Sequence, residues 1–195
     1  RFYDVTEGSI RIDGIDVRKF NLKALRKKIG FIRQKNLLFT GTIKSNIKFG
    51  KPHATHDEVE NSAKIAQAYD FITTKEKGFD EPISEGGSNV SGGQKQRLSI
   101  ARALVRKSEI YIFDDSFSAL DFKTDAILRK ALKKETKDAI VLIVAQRIGS
   151  IMDADKIIVL DEGKVVGVGK HKELLSTCNV YHEIALSQLT EEELA

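Results

Sequence analysis

The chain has a single cysteine, Cys178, in 195 residues. No internal disulfide can form, and the composition suits a reducing, cytosolic compartment. No apolar run approaches the ~18 residues that a bilayer-spanning helix requires, and no secretory leader is visible. There is also no large excess of one charge. The 32 basic residues against 28 acidic ones leave +4 at neutral pH, and they are dispersed along the chain. The densest basic run, Lys130-Ala131-Leu132-Lys133-Lys134, reads as a solvated helix face, so no nucleic-acid partner is expected. His53 and His56 stand close together, but without a cysteine or carboxylate cluster they predict no metal site. What remains is 41% hydrophobic and 31% charged residues, enough for one globular domain with a sizeable core.

The informative residues are concentrated between Val90 and Asp121. Ser91-Gly92-Gly93-Gln94 leads into a helical pattern with Leu98, Ala101, Leu104 and Val105 on one face. Ile110-Tyr111-Ile112-Phe113 follows, short and β-branched or aromatic enough to be a buried strand. Asp114 and Asp115 close that run, and Ser118-Ala119-Leu120-Asp121 turns into another helix. Glycines at a helix start let a ligand approach the backbone, where free N–H groups favour an anion. Carboxylates at the C-terminal end of a buried strand stand where open α/β sheets bind ligands, and they suit Mg²⁺. Taken singly, a Gly-Gly before a helix also reads as a turn, and an Asp after a strand as a helix cap.

In this order the three segments closely resemble the nucleotide-binding domains of ABC transporters, specifically exporters. SGGQ is similar to the signature motif, IYIFDD to the Walker B strand and SALD to the D-loop. The resemblance extends over residues 1 to about 187. Ile29–Gln34 and the following LLFTGTIKSNI resemble the segment that the family calls the Q-loop, and HKELL at 171–175 matches the exporter pattern GxHxELL. It implies a RecA-like P-loop NTPase core of α/β class carrying an α-helical signature subdomain, with ATP and Mg²⁺ as ligands. Residues 1–50 would be part of the ATPase core with the Q-loop, 51–105 the helical subdomain, 106–187 the core with Walker B, D-loop and switch region, and 188–195 a tail. Within the family, Asp114 and Gln34 would serve Mg²⁺, with Gln34 also contacting the attacking water. Ser91, Gly92, Gly93 and Gln94 would close over nucleotide held by a second subunit, with the D-loop Ser118–Asp121 beside them. Glu85 resembles the acidic residue that contacts the membrane domain, although an ordinary solvated loop acid reads equally well.

No stretch of the chain matches the phosphate-binding loop GxxxxGK[ST], which the family places just upstream of Arg1. The resemblance therefore implies a C-terminal part of such a domain, its sheet incomplete and hydrolysing little or nothing by itself. The strands at 29–32, 110–113 and 140–145 would then lack a central neighbour.

Two positions depart from the hydrolytic pattern. Where active members carry Glu after the Walker B Asp, this chain has Asp115, one methylene shorter. A shortfall on the order of 1 Å at a reacting water can cost ~10²-fold in rate. Where they carry a switch His, it has Gln146, whose amide can hold a hydrogen bond but carries no charge. The pair resembles the degenerate-site subunit of a heterodimeric exporter, on the cytoplasmic face of the cell membrane, with a membrane domain and a second ABC subunit as partners. Two alternatives share parts of the pattern. A DNA-maintenance ABC ATPase needs long heptad arms between Gln34 and Asp114, where none are found. A non-hydrolysing nucleotide-binding module is allowed by Asp115 and Gln146.

Local signals complete the reading. Residues 8–20 predict two short strands joined at Gly14, Leu22–Lys28 a basic helix, and Thr55 with Glu58 a capping box starting a helix towards Tyr69. Residues 82–87 read as a loop. Asp121 is expected to cap a helix over 122–136, residues 139–145 to form a fully apolar strand, and 156–160 and 164–168 to pair around Asp161-Glu162-Gly163. The acidic tail Thr190–Ala195 is expected to fray.

Overall fold

A computed structural model describes residues 1 and 3–189, so the acidic tail at 190–195 lies outside the described residues. The chain divides into two compact units, 1–142 and 143–195.

The first unit begins with a hairpin, β1 (Arg11–Ile12) against β2 (Ile15–Asp16), with Ile12 opposite Ile15. Asp13 and Gly14 turn it at φ 52 and 75°, the left-handed pair a two-residue hairpin loop requires. The expected strands are therefore present but short, because a 3-10 turn takes over at Val17–Lys19. Asn21 caps α1 (Leu22–Lys28) by accepting from Lys23 N and Ala24 N, and the chain passes directly into β3 (Ile29–Ile32).

The next two helices start on reciprocal caps. Thr42, the last residue of β4 (Gly41–Thr42), pairs with Ser45 to open α2 (Ile43–Lys48). Thr55 pairs with Glu58 to open α3 (His56–Ile65). Each such cap is worth about 1 kcal/mol of helix stability. The helix from Thr55 stops short of Tyr69, contrary to expectation. Gln67 adopts φ 56°, and Ala68 N bonds Ala63 O at 2.8 Å while Gln67 N bonds Lys64 O at 3.0 Å. This is a helix-ending motif that glycine usually supplies. α4 (Tyr69–Thr73) restarts after it. The segment expected as a loop at 82–87 opens with β5 (Pro82–Ile83), antiparallel to β4, and closes in a 3-10 turn at Glu85–Gly87.

α5 (Gly92–Leu104) is the central helix of this unit, with Gln96, Leu98, Ile100, Ala101 and Leu104 buried. It packs on α2 so closely that a Cβ at Gly50 would fall 2.0 Å from Arg102 O, which only glycine avoids. β6 (Ile110–Asp114) runs parallel to β3, Ile29 opposite Ile110 and Ile32 opposite Phe113. Asp121 caps α6 (Phe122–Glu135), and β7 (Ile140–Val144) follows. The order β3-β6-β7 makes these three strands direct neighbours, so the expected gap between them is not there. Phe113 and Phe117 stack with centroids 5.2 Å apart beneath the sheet, both buried. β7 is as apolar as expected but not buried. Ile140, Leu142 and Val144 are 62%, 51% and 57% exposed.

The second unit is a hairpin, β8 (Ile157–Asp161) and β9 (Lys164–Gly169), under α7 (His171–Thr177) and α8 (Asn179–Leu186). Its core gathers Ile148, Ile157, Val159, Leu174, Tyr181 and Ala185. His171 Nδ1 and Tyr181 Oη lie 2.8 Å apart inside it. No helix among the described residues is long and apolar enough to cross a membrane.

Candidate functional site

Parallel pairing of β3 and β6 brings their C-terminal ends together. Gln34 leaves one strand and Asp114-Asp115 leaves the other. Ser116, fully buried, fastens the two ends, its Oγ donating to Ile32 O at 3.0 Å and lying 3.2 Å from Asp114 O. Held in this way, Gln34 Nε2 donates to Asp115 Oδ2 at 3.1 Å, joining two residues 81 positions apart in the chain. Asp115 sits at φ 44°, a left-handed conformation that few non-glycine residues adopt, and Ser118 Oγ donates to its carbonyl at 3.0 Å. Asp114 and Asp115 are half-buried, and Gln34 is exposed.

No group of three or more His, Cys, Asp or Glu side chains that could hold a metal occurs among the described residues. The Asp115 carboxylate on the Gln34 amide, next in the chain to Asp114, nevertheless has the oxygen donors that suit Mg²⁺, which keeps several waters and takes one or two protein carboxylates alongside phosphate oxygens.

A second group of predicted residues meets at the start of α5. Ser91 Oγ accepts from Gln94 N at 3.3 Å while Gln94 Oε1 accepts from Ser91 N at 3.1 Å. The side chains of the signature turn therefore cap one another. Gly92 has nothing within 4 Å of where a Cβ would stand. A Cβ on Gly93 would meet Ala119 O at 3.4 Å and Leu120 Cδ2 at 3.8 Å. The signature turn and the D-loop of this chain thus lie against each other. Asp121 accepts from Thr124 N at 2.9 Å and from Thr124 Oγ1 at 2.7 Å, and these bonds hold its carboxyl below the usual carboxylate range. Arg97 donates to Gly93 O at 3.3 Å and to Gln67 O at 2.7 Å, over the Phe71 ring. Burial pushes its guanidinium down, against the fields of Asp121 and Asp70.

Glu85 is exposed on its 3-10 turn, braced from behind by Asn89, which accepts from Ser84 N at 3.0 Å and donates to Pro82 O at 2.8 Å. Gln146 belongs to the second unit. It is exposed, and its carbonyl accepts from Gln188 Nε2 at 2.8 Å.

Sequence reasoning missed the residues that hold the loop after Gln34. Asn36 Nδ2 donates to buried Gln96 Oε1 at 2.6 Å. Arg102 donates to Leu37 O at 2.8 Å, Asn46 O at 2.9 Å and Asn46 Oδ1 at 2.8 Å. Its guanidinium lies 5.1 Å from the Phe39 ring centroid and 5.8 Å from that of Phe49. Burial alone pushes it down to about 10. The available signal was a cation inside the apolar run Ile100–Val105 with no acid three or four residues away.

Comparison with known proteins gives the family. The family model described as ABC transporter matches residues 1–118. An uncharacterized ABC transporter ATP-binding protein of Mycobacterium tuberculosis is 44% identical over 191 residues, covering 96% of this chain and 32% of that protein. A putative multidrug export ATP-binding/permease protein of Staphylococcus aureus is 45% identical over 184 residues, 94% of this chain and 32% of its own length. The ATP-bound structure of a bacterial Atm1-family ABC exporter superposes with a TM-score of 0.94 at 38% identity, covering 98% of this chain and 34% of that one. The chain spans about a third of the length of these relatives.

Proposed function

The chain belongs to the ABC transporter family, with the mixed α/β, P-loop NTPase-type fold of an exporter's ATP-binding domain, and from that premise we propose that it couples ATP binding and hydrolysis to export across a membrane. On this reading residues 1–50 and 106–187 form the ATPase core, 51–105 is the helical subdomain, and the domain works at the cytoplasmic face. The observation that carries the proposal is the pairing of Gln34 with Asp115 beside Asp114, where two strand ends converge. Asp114 and Gln34 would hold Mg²⁺, which when bound neutralises phosphate charge and orients the terminal phosphate. Asp115 and Gln146 stand where a hydrolysing site has Glu and His. An aspartate in this conformation, already accepting from Gln34, is short of the reach needed to orient an attacking water. The chain's own site is therefore one that binds ATP and hydrolyses it slowly.

The signature turn serves the other site of a head-to-tail pair. The N–H groups of Gly92 and Gly93 stand in the first turn of α5, where no intrahelical acceptor exists and a phosphate is favoured. The partner is a second ABC subunit carrying the Glu and the His. This chain's D-loop, Ser118–Asp121, contacts that subunit, and Glu85 faces the membrane domain together with the exposed rings of Phe39 and Phe49, tilted against each other with centroids 4.5 Å apart. Adjacent exposed aromatic rings suit a protein interface, where such side chains are enriched. A second reading, a module that binds nucleotide and hydrolyses none, draws support from the occupation of the Asp115 carboxylate by Gln34.

Trapping of labelled nucleotide with vanadate in the assembled transporter tests the reading. Label is expected mainly at the site completed by Ser91–Gln94. Equal or greater trapping at the site of Asp114 and Asp115 would overturn the division of labour, and no trapping at either would overturn the activity.

A further inference from the structure

Arg102 is a half-buried cation that no carboxylate among the described residues accompanies. Among the described residues its side-chain hydrogen bonds go to Leu37 and Asn46, and none to its own helix. A guanidinium partly withdrawn from water needs its donors satisfied, and the planar fork bonds only in a narrow set of positions, so its geometry is tightly determined. Asn46, 1% exposed, extends the hold. Its amide donates to Phe39 O and Thr42 O and accepts from Phe39 N, all at 2.8–3.0 Å. With the Asn36–Gln96 bond, residues 36, 37 and 39 are each tied to α5, directly or through Asn46, and Leu38 between them is buried. The loop that carries Gln34 therefore has its position set by α5. At the other end of that helix, 11 residues or about 16 Å away, stands the signature turn.

Resting on the function proposed above, we propose that Arg102 is a positioning residue of both nucleotide half-sites. It locks the loop behind Gln34 to the helix behind Ser91, so that displacement of the Phe39–Phe49 surface moves the two together. The guanidinium lies against both rings and bonds both segments. Lysine cannot replace it, since an ammonium lacks the planar fork that reaches Leu37 O and Asn46 at once.

Steady-state ATP turnover of the assembled transporter provides the test, with Arg102→Lys, Phe49→Ala and the double variant beside wild type. Arg102→Lys is expected to lower kcat about tenfold per folded molecule while KM for ATP stays within about twofold, because no nucleotide contact is removed. Phe49→Ala should lower kcat less, and the double variant should be no worse than Arg102→Lys alone, since both act through one contact. Wild-type kcat in Arg102→Lys, or effects that multiply in the double variant, would overturn the proposal. If Arg102→Lys does not accumulate, Gln96→Met takes its place. It cuts the Asn36 tie while removing an unpartnered buried amide nitrogen, so its melt should be preserved. A kcat at least threefold down in Gln96→Met would support the tie, and an unchanged kcat would overturn it. A wild-type transporter without ATP turnover would overturn the function proposed above, which is a separate outcome.

Discussion

The two half-sites proposed for this chain, both in the first unit, are built from different material. At the signature and D-loop half, the working groups are backbone amides, and side chains serve as caps. Ser91 and Gln94 bind each other, Asp121 binds Thr124, and Gly93 has just room beside Ala119 O. At the Walker B half, the working groups are side chains, Asp114, Asp115 and Gln34, standing on strand ends stapled by Ser116. In the sequence reading the first half follows the family pattern and the second departs from it at Asp115. A site made of backbone is fixed by the fold and fails with any added atom in the wrong place. A site made of side chains can lose its chemistry by one methylene while the fold is untouched.

The largest expected effect tests the backbone-built half. Gly93→Asp places a carboxylate where a partner's phosphate should lie. At an effective dielectric near 20, like charges about 4 Å apart repel by about 4 kcal/mol. Turnover of the assembled transporter should fall about 10³-fold. Gly93→Ala, whose Cβ meets Ala119 O at a tight but tolerable 3.4 Å, should stay within about threefold of wild type. Turnover that survives Gly93→Asp would remove the signature turn from any phosphate.

A smaller effect is expected from repairing the side-chain half. Asp115→Glu with Gln146→His should raise hydrolysis at this chain's own site about tenfold, and by more than the product of the single changes, because the proposed function assigns both residues to one water and one phosphate. Single-site turnover with the partner's site disabled is the measurement. A gain that is absent or merely multiplicative would place the defect elsewhere. Smaller still, Asp115→Asn in the unrepaired subunit should change total turnover less than about twofold, since the site it damages already contributes little. If Asp115→Asn stopped turnover while Gly93→Asp spared it, the roles of the halves would be reversed.

Much of the fold was legible because its signals are local. The helix over 22–28, the caps at Thr55 and Asp121, the turn at Asp13-Gly14 and the strand at 110–113 all follow from neighbours in sequence. The helix break at Gln67 was hidden because the left-handed residue is a glutamine and not a glycine. The exposure of Ile140, Leu142 and Val144 was hidden because an apolar run reveals a preference for burial, not whether anything covers it. In the site, the types of residue were legible and their meetings were not. Gln34 reaches Asp115 across 81 residues, and Arg102 reaches Asn46 across 56. No periodicity encodes either approach. Only the family resemblance placed Gln34 with the Walker B carboxylates, and nothing flagged Arg102 as a tie to the Gln34 loop.

The smallest effect concerns the caps that support the backbone-built half. Asp121 accepts two hydrogen bonds from Thr124, and these hold its carboxyl below the usual range. A folded-state pKa that is depressed contributes stability present in full above the unfolded value, near 3.9, and lost as pH falls through the lower folded value. Asp121 is exposed, so solvent screens much of the charge and the contribution is modest. Asp121→Ala should lower the Tm of the purified subunit by about 2–4 °C at neutral pH. The deficit should hold steady down to about pH 5 and shrink below about pH 4 as the wild-type carboxylate protonates. Asp121→Asn keeps an acceptor for Thr124 N without a titrating group, so it should melt near wild type at pH 7 and lose less than wild type on acidification. A deficit in Asp121→Ala that ignored pH would show that the aspartate acts by packing alone. The D-loop half would then owe nothing to the charge of its cap.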